Sequence, residues 1–167
     1  MIVLRRATAS DAQAVATCHV RSWQVGYRGL LADGYLAGLD PAERAARYTF
    51  DLRGPAHPAT TLALDGDQLV GFVTIGPRRD TGDGGEVRAL YVDPEAWGRG
   101  VGRALIAHAR AELAARGHAE GTLFVLVGNL RAERFYAADG WRPDGVRRVA
   151  EIWGARLDEV QYRRCLG

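Results

Sequence analysis

The sequence contains no lysine; all 22 of its basic residues are arginine. The chain therefore has no lysine to form a Schiff base and none to clamp phosphate as a Walker loop does. It has only two cysteines, Cys18 and Cys165. Neither has a CxxC neighbour or a histidine at ligand spacing, so no zinc site is indicated and no metal is expected. Two isolated thiols fit a reducing, cytoplasmic setting. No run of 18 apolar residues occurs, which argues against a membrane partner. Met1-Ile2-Val3-Leu4-Arg5-Arg6 lacks the apolar core of a signal peptide. The net charge of +2, with no basic stripe, argues against nucleic acid. What remains is 167 residues, 47% hydrophobic and 25% charged, enough for one domain (residues 1–167) with a real core.

Along the chain, Ile2 to Arg6 reads as a first strand. Ser10, with Gln13 three residues on, has the form of a capping box. The helix behind it runs from Ala12 to Val25, with Val15, Ala16, His19 and Trp23 at helical spacing. A second helix is expected from Pro41 to about Leu52. Thr60 to Leu64 and Leu69 to Ile75 form a hairpin around Asp65-Gly66-Asp67. Gly76 to Gly85 reads as a mobile polar loop.

Glu86 to Val92 reads as a strand with Val87, Ala89 and Tyr91 on one side and Arg88, Leu90 and Val92 on the other. A helix follows from about Gly100 to Arg116, with Gly117 closing it. Thr122 to Val127 is an apolar run suited to a central strand. Asn129 can cap a helix ending near Gly140. Trp141 to Trp153 and Arg156 to Cys165 form a closing antiparallel pair around Gly154. The pattern is one α/β domain with a mixed sheet of about seven strands.

Between strand and helix lies Gly98-Arg99-Gly100-Val101-Gly102. A helix start offers unpaired N–H groups and partial positive charge. Glycines let phosphate oxygens approach that backbone closely, and Arg99 and Arg103 add charge at the rim. The turn is not a Walker loop, since lysine is absent, and it is not GxGxxG, since Arg103 or Leu105 falls at the sixth position.

The segment Leu90 to Leu105 resembles the acyl-coenzyme A signature of the GCN5-related N-acetyltransferase (GNAT) family, Gln/Arg-x-x-Gly-x-Gly/Ala. Trp97 stands at its first position, a departure. Asn129-Leu130-Arg131-Ala132-Glu133-Arg134-Phe135-Tyr136, ending at Gly140-Trp141, resembles the family's later motif. Asn129, Ala132 and Tyr136 fall near one helical face.

The resemblance implies a GNAT fold with about four helices around the sheet, acetyl-CoA as cofactor, a homodimer as the family's habit, and acetyl transfer to an amine. It implies that Tyr136 protonates the departing thiolate. It implies that Leu90, Tyr91 and Val92 give backbone donors to thioester and pantetheine, on a strand splayed from the next. It implies that Gly98, Arg99, Gly100, Val101, Gly102 and Arg103 hold the pyrophosphate. Asn129 and Ala132 would accommodate the pantetheine arm.

The amine must lose a proton, since ammonium pKa values lie near ~10. Glu86, at the start of the cofactor strand, is the leading base, acting directly or through water; Asp33, His19 and Glu151 are alternatives. The acceptor pocket is expected around Trp23, Tyr27, Tyr35, the Gly76–Gly85 loop and the strand from Val146 to Trp153. Trp23 and Tyr27, one helical turn apart, suit stacking on a ligand or covering a cation. The acceptor stays open between a small-molecule amine and a peptide amine. Two other functions compete: a non-catalytic acyl-CoA sensor of the same fold, and a nucleotide-binding enzyme.

Overall fold

The structure, a computed structural model, describes residues 1–80 and 83–167. Its strands are β1 (Ile2–Arg6), β2 (Ala59–Asp65), β3 (Gln68–Pro77), β4 (Gly85–Val92), β5 (Glu120–Leu126), β6 (Arg142–Ile152) and β7 (Ala155–Cys165). They form one seven-stranded sheet in the order β1-β2-β3-β4-β5-β7-β6. Only β4 and β5 run parallel. A parallel neighbour needs a crossover, which α4 (Val101–Ala115) supplies. The other helices are α1 (Ala12–Gly26), α2 (Asp33–Ala37), α3 (Pro41–Ala45) and α5 (Leu130–Ala138).

Alternation along the strands fills both faces of the sheet. Val73 packs with Leu105, Ile106, Ala109 and Leu123 beneath α4. Its neighbour Phe72 packs with Val15, Cys18 and Leu62 beneath α1. Trp23, Leu36, Leu126 and Leu157 form a third cluster where α1, α2, β5 and β7 meet. Helix α4 lies so close to β3 that a Cβ on Gly71 would stand 3.1 Å from Leu105 and Val101 side-chain atoms.

Four local expectations are corrected. The box before α1 is built by Thr8 and Asp11, not Ser10 and Gln13: Asp11 Oδ2 accepts from the Thr8 N–H at 2.8 Å while Arg5 pairs with the carboxylate. Helix α3 stops at Ala45 because Tyr48 and Phe50, stacked at 4.9 Å, turn into the α1 cluster. The loop expected over Gly76–Gly85 is shorter, since Gly76 and Pro77 belong to β3 and Gly85 to β4. Gly85 is there for packing, as a Cβ would come within 2.6 Å of Leu113. Thr81 and Gly82 of that loop lie outside the described residues.

The fourth correction concerns β4. Thr74 pairs with Ala89 but Ile75 pairs with Val87, so Arg88 is an extra residue bulged out of the ladder. The bulge shifts the alternation by one. Val87 therefore faces α4 together with Leu90 and Val92, while Ala89 and Tyr91 face α1.

Leu105 is fully buried at the centre of the α4 layer. Leu105→Ala is expected to lower unfolding stability by about 2–5 kcal/mol, read as a lower urea midpoint at unchanged slope.

Candidate active site

The β4–β5 ladder is made at only two positions, Gly85 with Gly121 and Glu86 with Thr122. Beyond Glu86 the strands diverge around a cavity of about 400 Å³. The free edge of β4 can be read residue by residue. The Asp93 N–H donates to Val70 O at 2.9 Å, so Asp93 faces β3. Backbone groups alternate along a strand, so Tyr91 also faces β3 while Leu90 and Val92 turn theirs into the cleft. Of the expected Leu90, Tyr91 and Val92, the backbone groups of Leu90 and Val92 face the cleft and those of Tyr91 face β3. Tyr91 instead lines the cavity with its side chain.

The carbonyl of Val92 is already engaged. It accepts from Trp97 Nε1 at 2.8 Å and lies 3.0 Å from the Ser22 hydroxyl. The departure at Trp97 thus has a structural role, pinning the end of β4. The Arg131 guanidinium covers the Trp97 ring at 3.1 Å.

The glycine turn opens at the same end of the cleft. Gly98 and Gly100 have φ of +76° and +85°, and nothing stands within 4 Å of where their Cβ atoms would be. The first helical bond of α4 runs from Ala104 N to Gly100 O. The amides of Val101, Gly102 and Arg103 are therefore left without helical partners. A Cβ on Gly102 would sit 3.1 Å from the Phe135 ring, so this glycine lets α4 and α5 close together. Gly98, Gly100, Val101, Gly102 and Arg103 all line the cavity. Arg99 does not; its side chain is exposed and pairs with Asp65 at the β2–β3 turn.

Helix α5 supplies the opposite wall with Asn129, Ala132 and Tyr136. Asn129 Oδ1 accepts from Ala132 N at 3.2 Å, capping α5 and leaving the side-chain amide to donate elsewhere. Tyr136 is buried, edge-on to Phe135 at 5.1 Å and to Trp141 at 6.4 Å. Burial, aided by the nearby Tyr91, raises its pKa well above that of a free phenol, so it stays a proton donor.

The remaining wall is aromatic and charged. His19, Trp23, Tyr27 and Tyr91 line it, with His19 stacked on Tyr91 at 4.4 Å and Trp23 4.9 Å from Tyr27. Glu86 is buried and held by Arg79, whose Nη2 donates to it at 2.6 Å and whose backbone N–H donates at 3.2 Å. Glu159, also buried, accepts from Arg148 Nε at 3.0 Å. Burial, then the charge of Arg44, lowers the His19 pKa to about 3 and makes it a poor base.

Three expected neighbours lie off the cleft: Asp33, Glu151 and Tyr35 do not line it. The Tyr35 hydroxyl donates to Trp153 O at 2.6 Å and ties α2 to the β6–β7 turn. Glu159 and Arg44 were missed by sequence reasoning, whereas Arg148 lies within the strand from Val146 to Trp153 expected at the acceptor pocket. Glu159 carried a readable signal, because it shares the inward alternation of Ala155, Leu157 and Gln161 on β7.

The acetyltransferase (GNAT) family model matches residues 21–141. The uncharacterized N-acetyltransferase YuaI of Bacillus subtilis is 32% identical over 168 residues, covering 96% of this chain and 91% of its own. An uncharacterized N-acetyltransferase of Mycobacterium tuberculosis is 30% identical over 141 residues, covering 83% of this chain and 87% of its own. Among solved structures, an N-acetyltransferase from Staphylococcus aureus matches 100% of this chain and 99% of its own, with a TM-score of 0.76 at 19% identity. The protein yncA of Salmonella typhimurium, solved with its cofactor acetyl-CoA, matches 99% of this chain and 94% of its own, with a TM-score of 0.71 at 19% identity. At those identities the structures speak for the fold, which is the GNAT fold. With the family matched over most of its length, the chain belongs to the GNAT family and is an N-acetyltransferase, and acetyl-CoA is the family's cofactor.

Proposed function

We propose that this enzyme transfers the acetyl group of acetyl-CoA directly to a primary amine, with both substrates bound together in the cleft. The observation that carries the reading is the free edge of β4, which leads from the buried Tyr136 side of the cavity to the open amides of α4. The residues present fit the cofactor. Val101, Gly102 and Arg103 offer amides at a positive helix end, and Gly98 and Gly100 leave space for phosphate. Leu90 and Val92 donate to the pantetheine arm and the thioester oxygen, such donors contributing about 3–4 kcal/mol to a transition state. The Asn129 amide and the small Ala132 take the arm on the other side. In this account Arg99 acts through Asp65, by fixing the glycine turn against the sheet.

When bound, acetyl-CoA supplies an electrophilic acyl carbon and a thiolate leaving group. Glu86 receives the ammonium proton, directly or through water, so that nitrogen can attack. The C–N bond forms and the C–S bond breaks. Tyr136 gives its proton to sulfur and regains one from the nitrogen that has become an amide. Trp23 and Tyr27 hold the acceptor on the α1 side. The acceptor is a small-molecule or peptide amine.

Coenzyme A release over amines, amino acids, aminoglycosides and peptides identifies a working acceptor. With it, Tyr136→Phe is expected to lower kcat about 10²–10⁴-fold and leave the acetyl-CoA Kd within about twofold. Unchanged turnover contradicts the acid role, and an inability of the wild type to release coenzyme A with any amine favours an acyl-CoA sensor. Gly100→Val forces a branched side chain into a left-handed conformation. It is expected to weaken acetyl-CoA about tenfold by calorimetry, and undiminished affinity would remove the turn from the cofactor site.

A further inference from the structure

Four arginines, Arg44, Arg79, Arg88 and Arg148, line the cleft away from the glycine turn; two are neutralised by carboxylates, and Arg88 donates to the Pro77 carbonyl at 2.7 Å. Arg79 pairs with Glu86 and Arg148 with Glu159. Arg44, on α3, has no carboxylate partner among the described residues. It is half-buried over two rings, with its guanidinium carbon 5.4 Å from the Trp153 centroid and 5.6 Å from that of Tyr48. Its Nε is sealed from water and has no acceptor.

A second polar atom without a partner belongs to the same wall. His19 is only 3% exposed, and its Nδ1 lies 3.0 Å from the Tyr48 hydroxyl. The other ring nitrogen, Nε2, has no hydrogen-bond partner among the described residues. Arg44 and His19 both line the cavity, and Arg44 gives it a permanent cation without a carboxylate partner among the described residues.

Glu86 and Glu159 line the same cavity, each held by its arginine. The rings of Trp23, Tyr27 and Tyr91 line the space with them. A bound molecule complementary to this wall carries an amine, an anionic group and an apolar body.

We propose that the acceptor is a carboxylate-bearing amine of the amino-acid class with an apolar or aromatic side chain, its carboxylate held by Arg44 and its amine directed toward Tyr136. Guanidinium matches carboxylate through paired, charge-assisted hydrogen bonds. This assignment rests on the acetyl-transfer reading of the same cleft and narrows its acceptor.

The test uses ligands with and without the carboxylate. Millimolar 3-phenylpropanoate, which has no amine, is expected to raise the Tm of the wild-type protein, whereas 3-phenylpropanamide is not. Arg44→Gln should abolish that shift and Arg44→Lys should retain part of it. Acetyl-CoA should raise the Tm of all three proteins, showing that the variants are folded. In coenzyme A release, phenylalanine should exceed phenylalaninamide and phenethylamine in kcat/KM by about 10- to 100-fold, an advantage that Arg44→Gln removes. Equal stabilisation of wild type and Arg44→Gln by the carboxylate, or turnover of the amide matching that of the acid, overturns the proposal. If acetyl-CoA stabilises none of the proteins, the acetyl-transfer reading falls instead, while the carboxylate arm still decides whether Arg44 forms an anion site.

Discussion

In a closed parallel sheet, β5 would take up every amide on the facing edge of β4. Here the ladder ends after Glu86 and Thr122, and the strands part. The Leu90 backbone groups and the Val92 N–H cannot be buried without partners, so the gap has to remain a cleft open to water or ligand. The other elements of the site are arranged around that requirement. β3 holds β4 from behind, α4 begins at the cleft's end, and α5 forms its far wall. The open ladder is thus a binding surface with its own hydrogen-bond pattern, in which only alternate residues take part.

Keeping such an edge open requires that β4 not collapse onto β5. Three features oppose collapse. The Arg88 bulge re-aims the strand. Trp97 and Ser22 fasten the Val92 carbonyl at its end. The pair of Glu86 with Arg79 fixes a charge where the strands begin to part. Trp97 stands where the family signature has glutamine or arginine, and its indole N–H satisfies backbone from that position. Arg131 from α5 lies on its face, so the two walls of the cleft are joined at this point by a cation–π contact.

Much of this was legible in the sequence, because strong local signals agreed. Gly98 and Gly100 take positive φ before a helix of helical periodicity, and Asn129 caps α5 while Ala132 and Tyr136 follow on its inner side. The hairpin at Gly66 and the helix stop at Gly117 were likewise local. What escaped depends on tertiary contact. The α3 helix ends early because Tyr48 and Phe50 gain more by packing than by continuing a helix. The bulge at Arg88 exists only in relation to β3. Arg44 gains its significance from the missing carboxylate around it, which no spacing can reveal. The pairing of Arg99 with Asp65, distant in sequence, could not be read from the glycine turn alone.

The central claim is that the unpaired amides of Leu90 and Val92 receive acetyl-CoA. Residue-resolved amide hydrogen exchange tests it directly. Leu90 and Val92 should exchange rapidly in the free protein and slow at least about tenfold with saturating acetyl-CoA, while Tyr91 and Asp93, bonded to β3, stay protected in both states. Leu90 and Val92 amides already protected without ligand, or unaffected by acetyl-CoA, would contradict the account.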